Sequence, residues 1–241
     1  MDCDEKDARI HDVSSRGEKA TVILGRSAQN ERPDHFCYVV TDIETDGPEP
    51  GTNAMRTFAS VMVDQRGEIR GQFEGCLAIL PESRPNPDTL DWLKSQPEVW
   101  ADIIRNPRPA SEVIAEYVDW IRRLPRPAVF VAHPISFDGI WMDWYLRKFA
   151  GLRLVCGPYG GERLFLGAGI DLPSLVMGTL GWEFDGCKRE LYPRQWFGGH
   201  PHSHRAIDDA MGYARVLSTM LQQFRHPPHV PRRADQAREG A

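Results

Sequence analysis

Short apolar runs separated by turn residues fill the middle of the chain. Phe36-Cys37-Tyr38-Val39-Val40 and Val129-Phe130-Val131-Ala132 are continuous runs of this kind, and both read as buried strands. Strands near 57–64 and 69–77 flank the turn signal Gln65-Arg66-Gly67, so the first strand, at 36–43, opens an antiparallel meander. Pro85, Pro87, Pro97, Pro107 and Pro109 then punctuate short helices, one of them around Thr89 to Lys94. Ile114, Tyr117, Val118 and Ile121 recur at helical spacing and predict a longer helix over 111–124, with Ser111 as its cap. A strand at 128–133, a helix from about Asp138 to Phe149, a short strand at Ile170-Asp171 and helices near 173–180 and 206–223 complete the pattern. A meander followed by alternating helices and strands predicts an α/β fold, a mixed central sheet of about five strands flanked by helices.

The ends differ from the middle. Residues 1–33 are polar apart from Ala20-Thr21-Val22-Ile23-Leu24 and predict an arm, residues 34–225 form the domain, and the Pro- and charge-rich 226–241 predict a disordered tail. A chain of 241 residues suits one catalytic unit with tails. No apolar stretch approaches the roughly 20 residues that span a bilayer, and the acidic N-terminus lacks a signal-peptide core. The expectation is a cytoplasmic protein with no membrane partner. Cys3, Cys37, Cys76, Cys156 and Cys187 are scattered without a CxxC pair, which argues against a disulfide framework and against a thiolate zinc site. The net charge of −5 excludes the global basic footprint of a protein that coats long nucleic acid. It leaves open a short strand end, which needs only a few cationic contacts.

The candidate chemistry lies in acidic residues at three separated places. Asp42 and Glu44 end the first strand one residue apart, so they point to the same side and can share one hard cation while Ile43 packs on the other face. Asp138 follows the strand at 128–133, and Asp209 stands five residues after His204. Carboxylates gathered in this way suggest phosphoryl transfer assisted by metal ions.

Asp42-Ile43-Glu44-Thr45-Asp46-Gly47, Ala132-His133-Pro134-Ile135-Ser136-Phe137-Asp138 and His204-Arg205-Ala206-Ile207-Asp208-Asp209-Ala210 resemble, in order, the three motifs of the DEDDh 3′ to 5′ exonucleases, a branch of the ribonuclease-H-like superfamily. The resemblance covers roughly residues 34–224. It implies a ribonuclease-H-like fold and a two-metal exonuclease acting on single-stranded RNA or DNA ends or short oligonucleotides and releasing 5′ nucleoside monophosphates. By the same resemblance Asp42, Glu44 and Asp209 would hold one Mg²⁺ or Mn²⁺, Asp42 would bridge to a second that Asp138 supports directly or through water, and His204 would be the base. The chain departs from the pattern in having Pro134 where Asn is common, two neighbouring carboxylates in the third motif, of which the five-residue interval selects Asp209, and an alternating run His200, His202, His204. Some relatives are homodimers, so a second copy is a further candidate partner. The rival reading is a module that binds nucleic-acid ends or docks on a polymerase or nuclease with little activity of its own.

Candidate substrate contacts are Thr45 and His133 within the motifs, and Met55 and Phe58 as wedges against a terminal base. Lys188, Arg189 and Trp196 join them from a segment, 187–197, that interleaves cations with aromatics. The same segment reads equally well as a loop with its aromatics tucked inward. Asp46 reads as a turn residue beside Gly47, and Asp171 as the cap of the helix near Pro173.

Overall fold

The computed structural model describes residues 35–155 and 161–225; the expected arm at 1–33 and tail at 226–241 lie outside the described residues. Five strands form one mixed sheet. β1 (Cys37–Thr45), β2 (Met55–Val63) and β3 (Ile69–Cys76) make the antiparallel meander, and β4 (Ala128–Ala132) and β5 (Ile170–Asp171) run parallel to β1, giving the order β3-β2-β1-β4-β5. β1 is therefore central. Six helices, α1 (Pro87–Ser95), α2 (Pro97–Ile104), α3 (Ala110–Arg122), α4 (Ile135–Ala150), α5 (Leu172–Leu180) and α6 (Ala206–Arg225), connect and cover the strands. Among the described residues no helix is long and apolar enough to cross a membrane.

The two-residue period of β1 divides the interior. Cys37, Val39 and Ile43 join a core built with α3 and α4, including Ile114, Tyr117, Trp141 and Tyr145. Tyr38 and Val40 join a second core built with α5 and α6, including Val176, Ala210, Val216 and Leu217. Apolar residues on both faces are what a strand in mid-sheet requires, which explains the unbroken run at its start.

Local chemistry sets the element ends. Asn86 caps α1 by accepting the Thr89 N–H at 3.0 Å, with Pro87 in the first turn. Asp171 caps α5 by accepting the Ser174 N–H at 3.0 Å and also takes the Ile135 N–H at 3.1 Å, which ties the start of α5 to the start of α4. Ser111 is not the cap of α3: the helix begins at Ala110, Pro109 occupies the cap position, and no side chain there bonds the helix end. The fixed φ of the proline starts the helix instead. α4 likewise begins at Ile135, three residues before the expected Asp138, because Pro134 occupies its cap position.

Three buried polar groupings hold the sheet. Thr41 Oγ1, Ser60 Oγ and Tyr117 Oη form a chain at 2.7 and 3.0 Å between β1, β2 and α3. At the far end of α6, Ser218 Oγ donates to Gly67 O at 2.6 Å and so fixes the helix to the β2–β3 turn. Asp46, fully buried, accepts the Ala54 N–H at 2.7 Å and faces Arg56 Nη1 at 3.6 Å. It folds the β1–β2 connection back on itself, and a side chain on Gly47 would collide with Asn53, its Cβ standing 2.3 Å from Asn53 Cγ. Asp46→Ala leaves the buried Arg56 guanidinium without its counter-charge. We expect a loss of about 3–5 kcal/mol in chemical unfolding, whereas a loss under about 1 kcal/mol would show that Arg56 reaches solvent when the partner is removed.

Candidate metal and active site

The acidic residues converge at the C-terminal ends of β1 and β4. Asp42 and Glu44 follow Tyr38 and Val40 onto the α6 side of β1 and pair across the ladder with Ala59 and Thr57. The first turn of α6 brings Asp209 to them, so that one oxygen from each of Asp42, Glu44 and Asp209 lies within 4.8 Å of the others. Asp138 comes from the first turn of α4, at the end of β4, and is 3% exposed. Its Oδ2 is buried without a hydrogen-bond partner.

Burial, then the charges of Asp138, Glu44 and Asp209, holds the Asp42 carboxyl well above the usual carboxylate range, while Arg189 pulls it the other way. Burial, then Asp209 and Asp138, does the same to Glu44. Asp138 is pushed up to about 8, by burial that outweighs nearby backbone N–H groups. Arg189 is the opposing cation, with Nη2 at 3.8 Å from Asp209 Oδ1 and its guanidinium 4.6 Å from the centre of the Phe197 ring. A crevice of hard oxygen donors, short of positive charge and with one carboxylate oxygen orphaned, has the composition that Mg²⁺ or Mn²⁺ requires.

The loop before α6 carries the histidines. His204 has φ of 56°, its ring centre lies 4.0 Å from that of His202, and the edge of its ring meets Trp92 of α1 at 5.0 Å. Burial, then His202, lowers the pKa of His204 and favours the neutral imidazole. His202 Nδ1 is 2.9 Å from Asp209 Oδ1. Asp208 turns away from the carboxylates: it accepts from Ser203 Oγ at 2.6 Å and Arg205 Nη1 at 3.3 Å, and Arg205 also reaches Asp102 of α2 at 3.6 Å. On a helix, neighbours point about 100° apart, so one of the pair faces the crevice and the other braces the loop.

The expected substrate contacts fare differently. Met55 and Phe58 are 0% and 1% exposed, packed in the α3–α4 core, and cannot wedge a base; β2 lies inside the sheet, where an apolar side chain serves packing. Thr45, partly buried, donates its hydroxyl to Gly47 O at 2.9 Å. His133 stacks flat on Tyr213 at 4.6 Å and lies 3.3 Å from Tyr192 Oη. In the 187–197 segment Tyr192 and Phe197 are buried and Trp196 stacks on Trp182 at 5.4 Å, so its aromatics face inward, whereas Lys188 is exposed and Arg189 turns to Asp209. Trp92 and His202 also border the site. His202 was visible in the alternating histidine run, but no local signal links Trp92 to a loop so distant in sequence.

One mixed sheet thus places acids at the C-terminal ends of two adjacent parallel strands, and a helix brings one more. Neither a protein-family model nor a curated protein matches the sequence. Solved structures do match. The nuclease domain of 3′hExo, a DEDDh family member, bound to rAMP, superimposes with a TM-score of 0.56 at 14% identity, covering 79% of this chain and 92% of that one. A 3′-exonuclease in a structure of 3′-end-specific recognition of a histone mRNA stem-loop gives 0.56 at 13% identity, over 79% and 82%. Exonuclease I gives 0.55 at 15% identity, over 80% of this chain and 42% of the longer enzyme. The chain has the DEDDh exonuclease fold.

The raised Asp138 carboxyl fixes the sign of a pH effect. A carboxyl whose folded pKa lies above its unfolded value contributes stability that is complete below the unfolded pKa and is lost as pH rises through the folded one. In EDTA the melting temperature should therefore fall by a few degrees as pH rises from about 5 to about 8, and level off above that. Asp138→Asn should reduce the fall and Mg²⁺ should oppose it. An increase with pH in EDTA would contradict the crowding of charge described here.

Proposed function

We propose that this protein is a metal-dependent 3′ to 5′ exonuclease that shortens single-stranded ends or short oligonucleotides to 5′ nucleoside monophosphates. The observation that carries this reading is the convergence of Asp42, Glu44 and Asp209 beside the orphaned carboxylate of Asp138. The shared fold with 3′-exonucleases supports it. Two divalent ions bound there would activate the attacking water and neutralise charge on the scissile phosphodiester. Asp42, Glu44 and Asp209 would hold one, and Asp42 with Asp138 the other.

The remaining residues orient the substrate and move the proton. His204, favoured as the neutral imidazole, accepts the proton of the attacking water from the loop beside Asp209. Arg189 presents a guanidinium to the phosphate. Lys188, exposed on the preceding residue, suits the next phosphate along. Trp92, 40% exposed and adjacent to His204, offers a ring against which the terminal base can stack.

Incubating the protein with 5′-labelled RNA and DNA oligonucleotides in Mg²⁺ should produce a descending ladder, abolished by EDTA and slowed by a 3′-terminal phosphate. Asp42→Ala and Asp209→Ala should each lower the rate by several orders of magnitude with the fold retained, and Asp208→Asn far less. Full activity in purified Asp42→Ala, or cleavage of a circular single strand, would refute the proposal.

A separate measurement concerns the base. His204→Ala should lower turnover by about 10² to 10⁴-fold while Mg²⁺ binding, followed by calorimetry, persists. Wild-type turnover in this variant would assign the proton to another acceptor.

A further inference from the structure

We propose that His202, His204 and Asp209 form a second metal site, suited to a borderline transition ion such as Zn²⁺, and that its occupation shuts the carboxylate centre. The shutting rests on the exonuclease reading; the binding does not.

Two triads share one residue. One donor atom from each of His202, His204 and Asp209 lies within 4.8 Å of the others, as in the Asp42, Glu44 and Asp209 group. Their chemistry differs. Three carboxylates suit a hard ion, whereas two imidazoles and a carboxylate make the donor set in which zinc outcompetes magnesium. Zinc bonds of about 2.0–2.1 Å place tetrahedral donors ~3.3 Å apart, so the triad needs to contract by no more than about 1.5 Å. His202 Nδ1 is already 2.9 Å from Asp209 Oδ1, and the centres of the two imidazole rings are 4.0 Å apart.

The segment that must move is tethered at Ser203 and Arg205 through Asp208, so the contraction falls on the His202 and His204 side chains. Residues 200–205 hold no helix or strand, and Gly198 and Gly199 precede them with φ of 61° and 86°. The His202 side chain is 33% exposed, which opens the fourth coordination position to water. Asp209 is the fixed vertex, buried on α6. His200 stands apart, its N–H bonded to Phe197 O and its Cβ close to Gly212, so the alternating run separates into a pair that faces Asp209 and one that does not.

Occupation of this site has a direct consequence for the neighbouring one. Zinc on Asp209 competes for a ligand of the first metal, and zinc on His204 occupies the lone pair that would accept the water's proton. The loop would thus make the protein sensitive to free zinc in the presence of excess magnesium.

The test is a titration of the full chain with Zn²⁺ against a chromophoric chelator, and with Co²⁺ read by its visible absorption, in wild type, His202→Ala and Asp42→Asn. We expect one zinc equivalent whose affinity falls about tenfold or more in His202→Ala and persists in Asp42→Asn, with the intense visible bands of four-coordinate Co²⁺ lost only in the first. Equal zinc affinity in wild type and His202→Ala, or a larger loss in Asp42→Asn, would place the ion among the carboxylates and overturn the site. In the nuclease assay, zinc added over magnesium should inhibit wild type, and His202→Ala should need about tenfold more zinc for the same fractional loss of its own rate. Zinc bound through His202 without inhibition would overturn the shutting. A protein with no magnesium-dependent activity would instead refute the exonuclease reading, and the titration would still decide the site.

Discussion

Mutual repulsion among Asp42, Glu44, Asp138 and Asp209 is the interaction around which the rest of the structure is arranged. Two unit charges about 5 Å apart at an effective dielectric constant near 20 oppose each other by about 3 kcal/mol, so a few such pairs rival the net stability of a whole domain. Protonation of Asp42, Glu44 and Asp138, whose carboxyls burial and neighbouring charge hold above the usual range, relieves part of this. Apolar packing on both faces of the sheet opposes the remainder. β1 is held by the Tyr117 and Trp141 core on one side and the Val216 and Leu217 core on the other, and each face brings one helix whose first turn delivers an acid. The site is therefore a place where folding energy is converted into concentrated negative charge.

Much of this was legible in the sequence because it depends on period and order. The run from Phe36 to Val40 announced a strand buried on both faces, the signal Gln65-Arg66-Gly67 announced the meander, and one-residue spacing put Asp42 and Glu44 on one side of β1. The five strands and their flanking helices follow from these patterns, and the DEDDh resemblance supplied the fold that the structural matches share. What escaped was whatever depends on contacts between distant segments. Met55 and Phe58 follow the first motif closely, yet β2 turns both inward. Ser111 has the chemistry of a cap, but Pro109 starts the helix first. The aromatics of 187–197 could have faced either way until Trp182, Phe197 and Tyr213 gave them partners.

The third motif shows how neighbouring residues divide labour. Asp209 is buried and faces the crevice, while Asp208 restrains the loop through Ser203 and Arg205. Arg205 in turn reaches Asp102, connecting the histidine loop to α2 and, through the α1–α2 pair, to Trp92. The groups around the carboxylates thus come from separate stretches of chain, each on or beside a packed element. The loop that carries the histidines has no helix or strand of its own and is held instead by Asp208 and Asp102.

Helix α6 adds a mechanical consequence. Asp209 sits in its first turn, bonded to His202, and Ser218, ~14 Å further along its axis, is bonded to the β2–β3 turn. A change in the remote turn at Gly67, such as a longer connection or a substitution that pushes on Ser218, would slide Asp209 relative to Asp42 and Glu44. The spacing of those oxygens is therefore set in part by packing at the far end of the helix.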